Sequence, residues 1–350
     1  MDISFERHDF SNESELDERI EPDYSTPKFF KEPLEDKIEN KSTYEKLNLS
    51  KNNQPTLQLA QTINSGVEFG ELGQYQKALE CFDRAVQLDE NNASVWVPKG
   101  LALFHLGRYE EAIVCFDAAI TIDRNLIYVM HDKAAALSRL KRYDEAIVCF
   151  DKMLESDENE HYVLHDKGAT LFRLQKYEEA IVCFDRVIQL DDSNTRVFHD
   201  KGLALSELRK FEEAIDCFDA ALENDKYQHK NLINKGKALA SLRKFEEAIV
   251  CFDAALENNR YRYLALHYKA ITLDELEKYE DAEKCYKEIL ENNKKISKLE
   301  IWFTRGSRLI RFKKGFEEAI VCLKKIPQTD KDEISNWNLK GNEFLKNRKF

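Results

Sequence analysis

The chain has 350 residues, of which 43% are hydrophobic and 34% charged, and its formal net charge is −12. That balance suits a helical soluble protein and disfavours DNA or RNA as a partner, since nucleic-acid binders carry a basic stripe. No apolar run approaches the ~20 residues that cross a bilayer, and the start, MDISFERHDF, lacks the basic and apolar regions of a secretory signal.

Residues 1–58 carry 14 Asp/Glu against 8 Lys/Arg. Pro22, Pro27, Pro33 and Pro55 interrupt any long helix. Low hydrophobicity with high charge predicts an acidic, disordered leader. It reads either as a solvated tail or as a docking or autoinhibitory segment, with Phe29, Phe30, Leu34 and Ile38 as its apolar patch.

From Leu59 the chain repeats. The stretch EEAIVCFDAA, Glu110 to Ala119, returns as EAIVCFD at Glu145–Asp151, Glu179–Asp185 and Glu247–Asp253 and as EAIDCFD at Glu213–Asp219. Cys81, Cys115, Cys149, Cys183, Cys217, Cys251, Cys285 and Cys322 mark the register; the first six steps are 34 residues each and the last is 37. A fixed period of that size predicts a solenoid, a stack of units without a central core. The repeats fall at 59–92, 93–126, 127–160, 161–194, 195–228, 229–262, 263–296 and 299–333, with a half repeat over 334–350.

Each repeat reads as two helices. Trp96, Gly100 and Leu103 are spaced i, i+4, i+7, and Ala112, Phe116 and Ala119 repeat that spacing after a break near Leu106-Gly107-Arg108. A short break makes the two helices antiparallel. Basic residues from Arg108 to Lys278 are read as ending the first helices, and acidic pairs such as Glu110-Glu111 as opening the second, in the sense the helix dipole favours. Gly66, Gly100, Ala134, Gly168, Gly202, Gly236 and Ala270 hold one small site, and Ala78, Ala112, Ala146, Ala180, Ala214, Ala248, Ala282 and Ala319 the other. Glycine inside a helix costs about 1 kcal/mol against alanine, so its recurrence implies close backbone approach.

The cysteines read as small, half-buried apolar residues in a reducing cytosol. Equivalent positions on packed helices lie ~8–10 Å apart, beyond the ~7 Å reach of a disulfide, and no CxxC pair suggests zinc.

Trp96, Gly100, Leu103, Tyr109, Ala112, Phe116 and Ala119 resemble, in order and spacing, the tetratricopeptide repeat pattern, and the resemblance covers residues 59–350. It implies an all-α fold, a tetratricopeptide repeat (TPR) solenoid of antiparallel helix pairs winding into a right-handed superhelix, that binds a protein or peptide along its concave groove. The chain departs from the pattern where Asp123-Arg124 replaces a common proline, and where Lys99 and its equivalents replace an often apolar residue.

With Trp96, Gly100 and Leu103 facing the core, the residues next to them turn toward the groove. One groove row reads Ile63, Val97, His131, His165, His199, Ile233, His267 and Phe303; the next reads Asn64, Pro98, Asp132, Asp166, Asp200, Asn234, Tyr268 and Thr304. The motif HDK thus occurs at His131, His165 and His199. Candidate peptide-groove residues are Tyr128, His131, Asp132, Tyr162, His165, Asp166, Phe172, Arg173, Arg196, His199, Asp200, Asn234, Lys237 and His267. Three readings compete: copying of one ancestral repeat; a ligand groove with aromatic and arginine anchors, whose Asp row favours a basic or amide-rich segment; and a metal or pH-responsive His ladder. The lysines and asparagines with which some tetratricopeptide groups clamp a C-terminal carboxylate are missing at His131, Asp132 and Ala135 and at His165, Asp166 and Ala169.

No GxSxG, P-loop, HExxH or GxGxxG motif occurs, so no catalytic site, cofactor or metal is expected. Trp337, Gly341, Phe344 and Phe350 match the first helix of a ninth repeat, read either as a cap or as the mark of a fragment. The expected function is a cytoplasmic protein-interaction scaffold. The alternative is the targeting or regulatory region of a larger enzyme whose catalytic part lies past residue 350. Self-association through the C-terminal end is a third option.

Overall fold

The computed structural model describes residues 54–155, 160–223, 228–258, 260–292 and 305. The expected leader up to residue 53, most of the expected eighth repeat, the half repeat and Cys322 lie outside these residues. Among the described residues there are fourteen α-helices and no strand. They fall in two compact units, divided between Arg209 and Lys210.

The first unit contains nine of the helices: α1 (Gln54–Glu71), α2 (Tyr75–Leu88), α3 (Ala93–His105), α4 (Tyr109–Ile122), α5 (Val129–Arg139), α6 (Tyr143–Leu154), α7 (His161–Arg173), α8 (Tyr177–Leu190) and α9 (Thr195–Glu207). The second contains α10 (Phe211–Leu222), α11 (Gln228–Ser241), α12 (Phe245–Ala255), α13 (Arg262–Glu275) and α14 (Tyr279–Asn292). Helix α1 begins five residues before the boundary the repeat suggests, with Pro55 in its first turn, where a missing N–H breaks no helical bond.

The packing inside each helix pair follows from the small residues. Phe82, Phe116, Phe150, Phe184, Phe218 and Phe252 are fully buried. A Cβ added at Gly66, Gly100, Gly168 or Gly236 would stand 2.5–2.7 Å from Cε1 of the phenylalanine sixteen residues on. The ring therefore lies directly on the backbone of the first helix. Ala78, Ala112, Ala146, Ala180, Ala214, Ala248 and Ala282 are also fully buried.

The break between helices is a Schellman turn. In the second repeat Gly107 N–H donates to Phe104 O at 3.0 Å and Arg108 N–H to Leu103 O at 2.9 Å. Gly107 has φ +76°. The same left-handed position is held by Gly73 at +70° and by Lys141, Gln175, Arg209, Arg243 and Glu277 at +60° to +62°. Arg108 and Arg142 thus do not end the first helix. They occupy the N-cap position of the second, and each guanidinium donates to the glutamate three residues on, at 2.6 Å from Nε and from Nη2.

Between repeats an aspartate or asparagine does the work of the absent proline. Asp89, Asp123, Asp191 and Asn258 accept the backbone N–H two residues on, at 2.9–3.1 Å. The lysines that replace an apolar residue form a recurring ion pair with the second helix of the preceding repeat. Lys99 meets Asp83 at 2.8 Å, Lys133 meets Asp117 at 2.5 Å, Lys167 meets Asp151 at 2.6 Å and Lys201 meets Asp185 at 2.5 Å in the first unit. Lys235–Asp219 and Lys269–Asp253 repeat the contact in the second.

Seven cysteines are free and buried. Burial pushes the Cys115 and Cys183 thiols up to about 11, so at neutral pH they are protonated and poor nucleophiles. No described helix is long and apolar enough to cross a membrane.

Candidate functional site

The HDK motifs lie on α5, α7 and α9, the first helices of three successive repeats. Their side chains engage one another across the repeats. His131 Nε2 lies 2.7 Å from Asp166 Oδ2. His165 Nε2 lies 2.8 Å from Asp200 Oδ2, and its Nδ1 lies 3.5 Å from Asp166 Oδ1. Arg196 Nε, one turn before Asp200, stands 3.9 Å from Asp200 Oδ2. The result is a ladder running His131, Asp166, His165, Asp200 through three helices. Its spacing of 35 residues is one repeat plus one, because the histidine reaches the neighbour's aspartate rather than its histidine.

The ladder is mostly buried: His165, Asp166, His199 and Asp200 are all under a tenth exposed, and His131 is half-buried. Burial alone would neutralise these groups. For His165 burial disfavours the imidazolium, but the hydrogen bonds to Asp166 and Asp200 and their charges outweigh it, and the pKa rises to about 9. His131 is likewise raised, burial being overcome by Asp166, Asp132 and Glu160. Burial raises Asp166, yet hydrogen bonds from His131 and His165 bring it down to about 2. At neutral pH His165 is thus held protonated and Asp166 ionised, each favouring the other's charge.

This changes what the aspartate row offers. Asp166 and Asp200 face histidines of their own chain, so they do not attract a basic segment from outside. Among the described residues no group of three or more His, Cys, Asp or Glu is placed to hold a metal ion.

The other candidates distribute as follows. Tyr128, at the N-cap of α5, is 49% exposed and Tyr162 is 39% exposed. The Tyr162 ring stands edge-on to His131 with centroids 5.4 Å apart. Asp132, Arg173 and Arg196 are half-buried. Phe172 is buried, its ring edge-on to Tyr177 of the partner helix at 5.2 Å, so it belongs to the hairpin core. Asn234, Lys237 and His267 lie in the second unit. Lys237 Nζ stands 4.9 Å from the Tyr268 ring centroid. His267 is half-buried, its ring 6.1 Å from that of Tyr263. Asn234 is buried, and its amide has no hydrogen-bond partner among the described residues.

Sequence reasoning missed one buried cluster. In the second unit Arg305 Nη2 donates to Asp274 Oδ1 at 2.7 Å and to Tyr279 O at 3.0 Å, and its Cζ sits 5.1 Å from the Tyr286 ring centroid. The Tyr286 hydroxyl reaches Asp274 Oδ2 at 3.4 Å. The signal was Tyr286 itself, which breaks a run of phenylalanines.

Antiparallel helix pairs in a 34-residue register, each with an aromatic ring seated on a small residue, define a helical repeat scaffold. Comparison with known families gives that scaffold its class. The family described as "Tetratricopeptide repeat" matches residues 64–126, 199–259 and 233–295. "Anaphase-promoting complex, cyclosome, subunit 3" matches residues 139–221. The chain is a tetratricopeptide repeat protein.

Among solved structures, the C-terminal part of a TPR repeat-containing protein from Cytophaga hutchinsonii is similar at 15% identity and TM-score 0.58, over 67% of this chain and 97% of that one. A tetratricopeptide repeat protein from Parabacteroides merdae is similar at 14% identity and TM-score 0.55, over 68% and 94%. YrrB, described as a TPR protein with an unusual peptide-binding site, has 22% identity and TM-score 0.47 over 55% and 98%. A search of curated proteins finds no match. Proteins of this family are in general scaffolds for protein interaction, and typically non-catalytic.

Proposed function

We propose that the chain binds a protein or peptide segment along the groove formed by α5, α7 and α9. The observation that carries this reading is the pair Tyr128 and Tyr162. Both are large aromatics at the same repeat position, and both stay exposed on a face whose floor is fixed by the buried ladder. Exposed aromatic rings on a rigid floor are the usual anchors of an interface, since they bury much area at little entropic loss.

Helical spacing supports the same face. Tyr128, Asp132, Ala135 and Arg139 follow i, i+4, i+7, i+11 along α5, and Tyr162, Asp166, Ala169 and Arg173 do so along α7. Tyrosines mark one end of this strip and arginines the other, with alanines between. In this reading Tyr128, Tyr162, Asp132, Arg173 and Arg196 contact the ligand, while His165, Asp166, His199 and Asp200 hold the floor. Asn234, Lys237 and His267 are a separate candidate surface of the second unit.

The test is a quantitative pull-down from extract with the full chain as bait. Tyr128→Ser, Tyr162→Ser and Arg173→Ser together are compared with Val114→Ser, Val148→Ser and Val182→Ser, which change exposed residues of the second helices. A partner lost with the first set and kept with the second supports the groove. A partner kept by both sets, or lost with the second alone, overturns it.

A further inference from the structure

We infer that the second unit holds a closed recognition site of its own, in which the Asn234 carboxamide takes a main-chain peptide group of an extended segment. This site is independent of the groove on α5, α7 and α9.

Asn234 lies on α11 and is 3% exposed. Neither its Nδ2 nor its Oδ1 has a hydrogen-bond partner among the described residues, so exchanging the two atoms would satisfy neither. Asn231, one turn earlier on α11, turns its own amide to Ala221 O of α10 at 3.5 Å. Asn234 holds the position that Asp166 and Asp200 hold in earlier repeats, where each aspartate faces a histidine of the ladder. On α11 the histidine position is Ile233, 1% exposed. Both members of the His-Asp pair are thus replaced together, and what remains is a buried amide with nothing to bind. Such a group costs stability. Folded chains keep few of them, and where a local rule of folding is broken the place is commonly a functional one.

The chemistry of the amide selects its ligand. A carboxamide offers N–H donors and a carbonyl acceptor side by side. A carboxylate would satisfy the donors alone, and an ammonium the acceptor alone. A second planar amide satisfies both. In an extended chain the N–H and C=O of one residue point to the same side, as they do when strands pair. Main chain therefore presents the required combination whatever side chains it carries.

The site is closed by a strap. Lys237, three residues on, lies on the same face of α11 as Asn234, and its Nζ stands 4.9 Å from the ring centroid of Tyr268 on α13. Tyr268 is the equivalent of Asn234 in the next repeat. The lysine chain thus bridges the two helices at the level of the amide, leaning toward the N-terminus as helical side chains do. Tyr268 is backed by Phe252, with ring centroids 6.1 Å apart and 22° between planes. The aromatic wall is fixed, and the half-buried lysine is the part with freedom to move. A segment entering between α11 and α13 displaces the ammonium, lies against the tyrosine ring and gives Asn234 its partners.

The test follows the Asn234 side-chain amide by NMR in the full chain labelled with 15N-asparagine, its signal assigned by its loss in Asn234→Leu. The probe is a glycine–serine peptide of about twelve residues, which offers main chain and few other groups. The expected result is a saturable shift of that signal below about 20 mM, within reach of a weak single contact. Oligosarcosine of the same length has no N–H and should bind at least about tenfold more weakly, the worth of one lost hydrogen bond. Lys237→Ala should tighten binding about threefold, since no cation–π contact is then given up; unchanged or weaker binding in that variant overturns the strap. No saturable shift overturns the inference. So does equal binding of oligosarcosine, or saturation by propionamide alone, which would make this a pocket for a carboxamide side chain. In a second arm, amide hydrogen exchange in α11 and α13 should be no faster in Asn234→Leu than in the parent, because the substitution removes a buried unpaired group. Faster exchange would mean that the amide holds the fold and not a ligand, and overturns the inference too. Failure here leaves the groove reading intact, since its test changes residues of the first unit only.

Discussion

Gly100 and Phe116 are in such close contact that a Cβ on the glycine would stand 2.5 Å from the ring's Cε1 and 2.8 Å from Cδ1. The ring is wholly buried and has little room to retreat. Alanine at the equivalent Ala134, beside Phe150, shows that one methyl group can be accommodated in a repeat built around it. A branched side chain is a different matter. Gly100→Val is expected to destabilise the first unit by about 1–3 kcal/mol, as overpacked cores do, read as a lowered denaturant midpoint. Ala180→Trp, at a fully buried position of α8, should behave alike. An unchanged midpoint for both would mean that the register of the helix pairs is misassigned.

The Schellman turns make the opposite kind of prediction. Lys141, Gln175, Arg243 and Glu277 adopt φ near +60°, where an L side chain is disfavoured by about 1–2 kcal/mol. At the equivalent Gly73 and Gly107 an added Cβ meets nothing within 4 Å, so the side chains at the other copies relieve no crowding by being present. Lys141→Gly and Gln175→Gly should each raise stability by about 0.5–1 kcal/mol, after allowing for the freer unfolded chain. Thermal melts of the double variant check this, and a lowered midpoint refutes it.

These turns also show what the chain makes legible. Gly107 announces a break, and the 34-residue period carries that break to every repeat. Lys141 and Gln175 give no local hint of a left-handed backbone; only the period does. The ladder is similar. Periodicity places His131 and Asp166 on the same face, but it does not say that the histidine of one repeat meets the aspartate of the next. That depends on the offset between neighbouring helices, which is a tertiary quantity. Arg108 was legible as a charge near a helix end and not as the N-cap residue paired with Glu111, because a one-residue shift in boundary moves it from one helix to the other.

The ladder has a pH signature with a definite sign. His165 is raised from its ordinary 6.5 to about 9, so its stabilising contribution is complete below pH 6.5 and is lost as pH rises through 9. Asp166 is lowered from 3.8 to about 2, so its contribution is present above pH 4 and lost as pH falls through 2. Stability should therefore be flat between about pH 4 and 6.5 and decline on the alkaline side. His165→Ala should flatten the alkaline limb. It should also cost about 3 kcal/mol, near the low end for a broken buried pair, because Asp166 keeps His131 and Arg196 stays within 3.9 Å of Asp200. Denaturant titrations at pH 6 and pH 9.5 test both points, and an alkaline limb unchanged in the variant would assign it to other groups.

The lysine–aspartate pairs recur six times, yet they should matter little one at a time. In Lys167–Asp151 the aspartate side chain is 48% exposed, and ion pairs that open to solvent contribute about 0–1 kcal/mol. Lys167→Met keeps the aliphatic stem that lies on the helix and removes only the charge. It is expected to shift the denaturant midpoint by less than the equivalent of about 1 kcal/mol, with or without 1 M salt. A larger loss that salt also produces in the parent protein would mean that the six pairs act as a network.

The Asp274–Arg305 pair is the contrasting case, because neither side chain has access to water. Asp274 is 4% and Arg305 3% exposed, and the guanidinium has fixed partners in the Asp274 carboxylate and Tyr279 O. Removing the carboxylate takes from a buried cation the counter-charge that its guanidinium grips. Asp274→Ala should therefore destabilise the second unit by about 3–5 kcal/mol. Tyr286→Phe deletes the hydroxyl with its long 3.4 Å contact and restores the residue found in the six preceding repeats, so its loss should stay near 1 kcal/mol or less. Amide hydrogen exchange resolved to α13 and α14 reads this loss at the cluster itself. Exchange should rise sharply in both helices for Asp274→Ala and barely for Tyr286→Phe. Equal acceleration by the two substitutions would show that the hydroxyl, and not the ion pair, holds this cluster together.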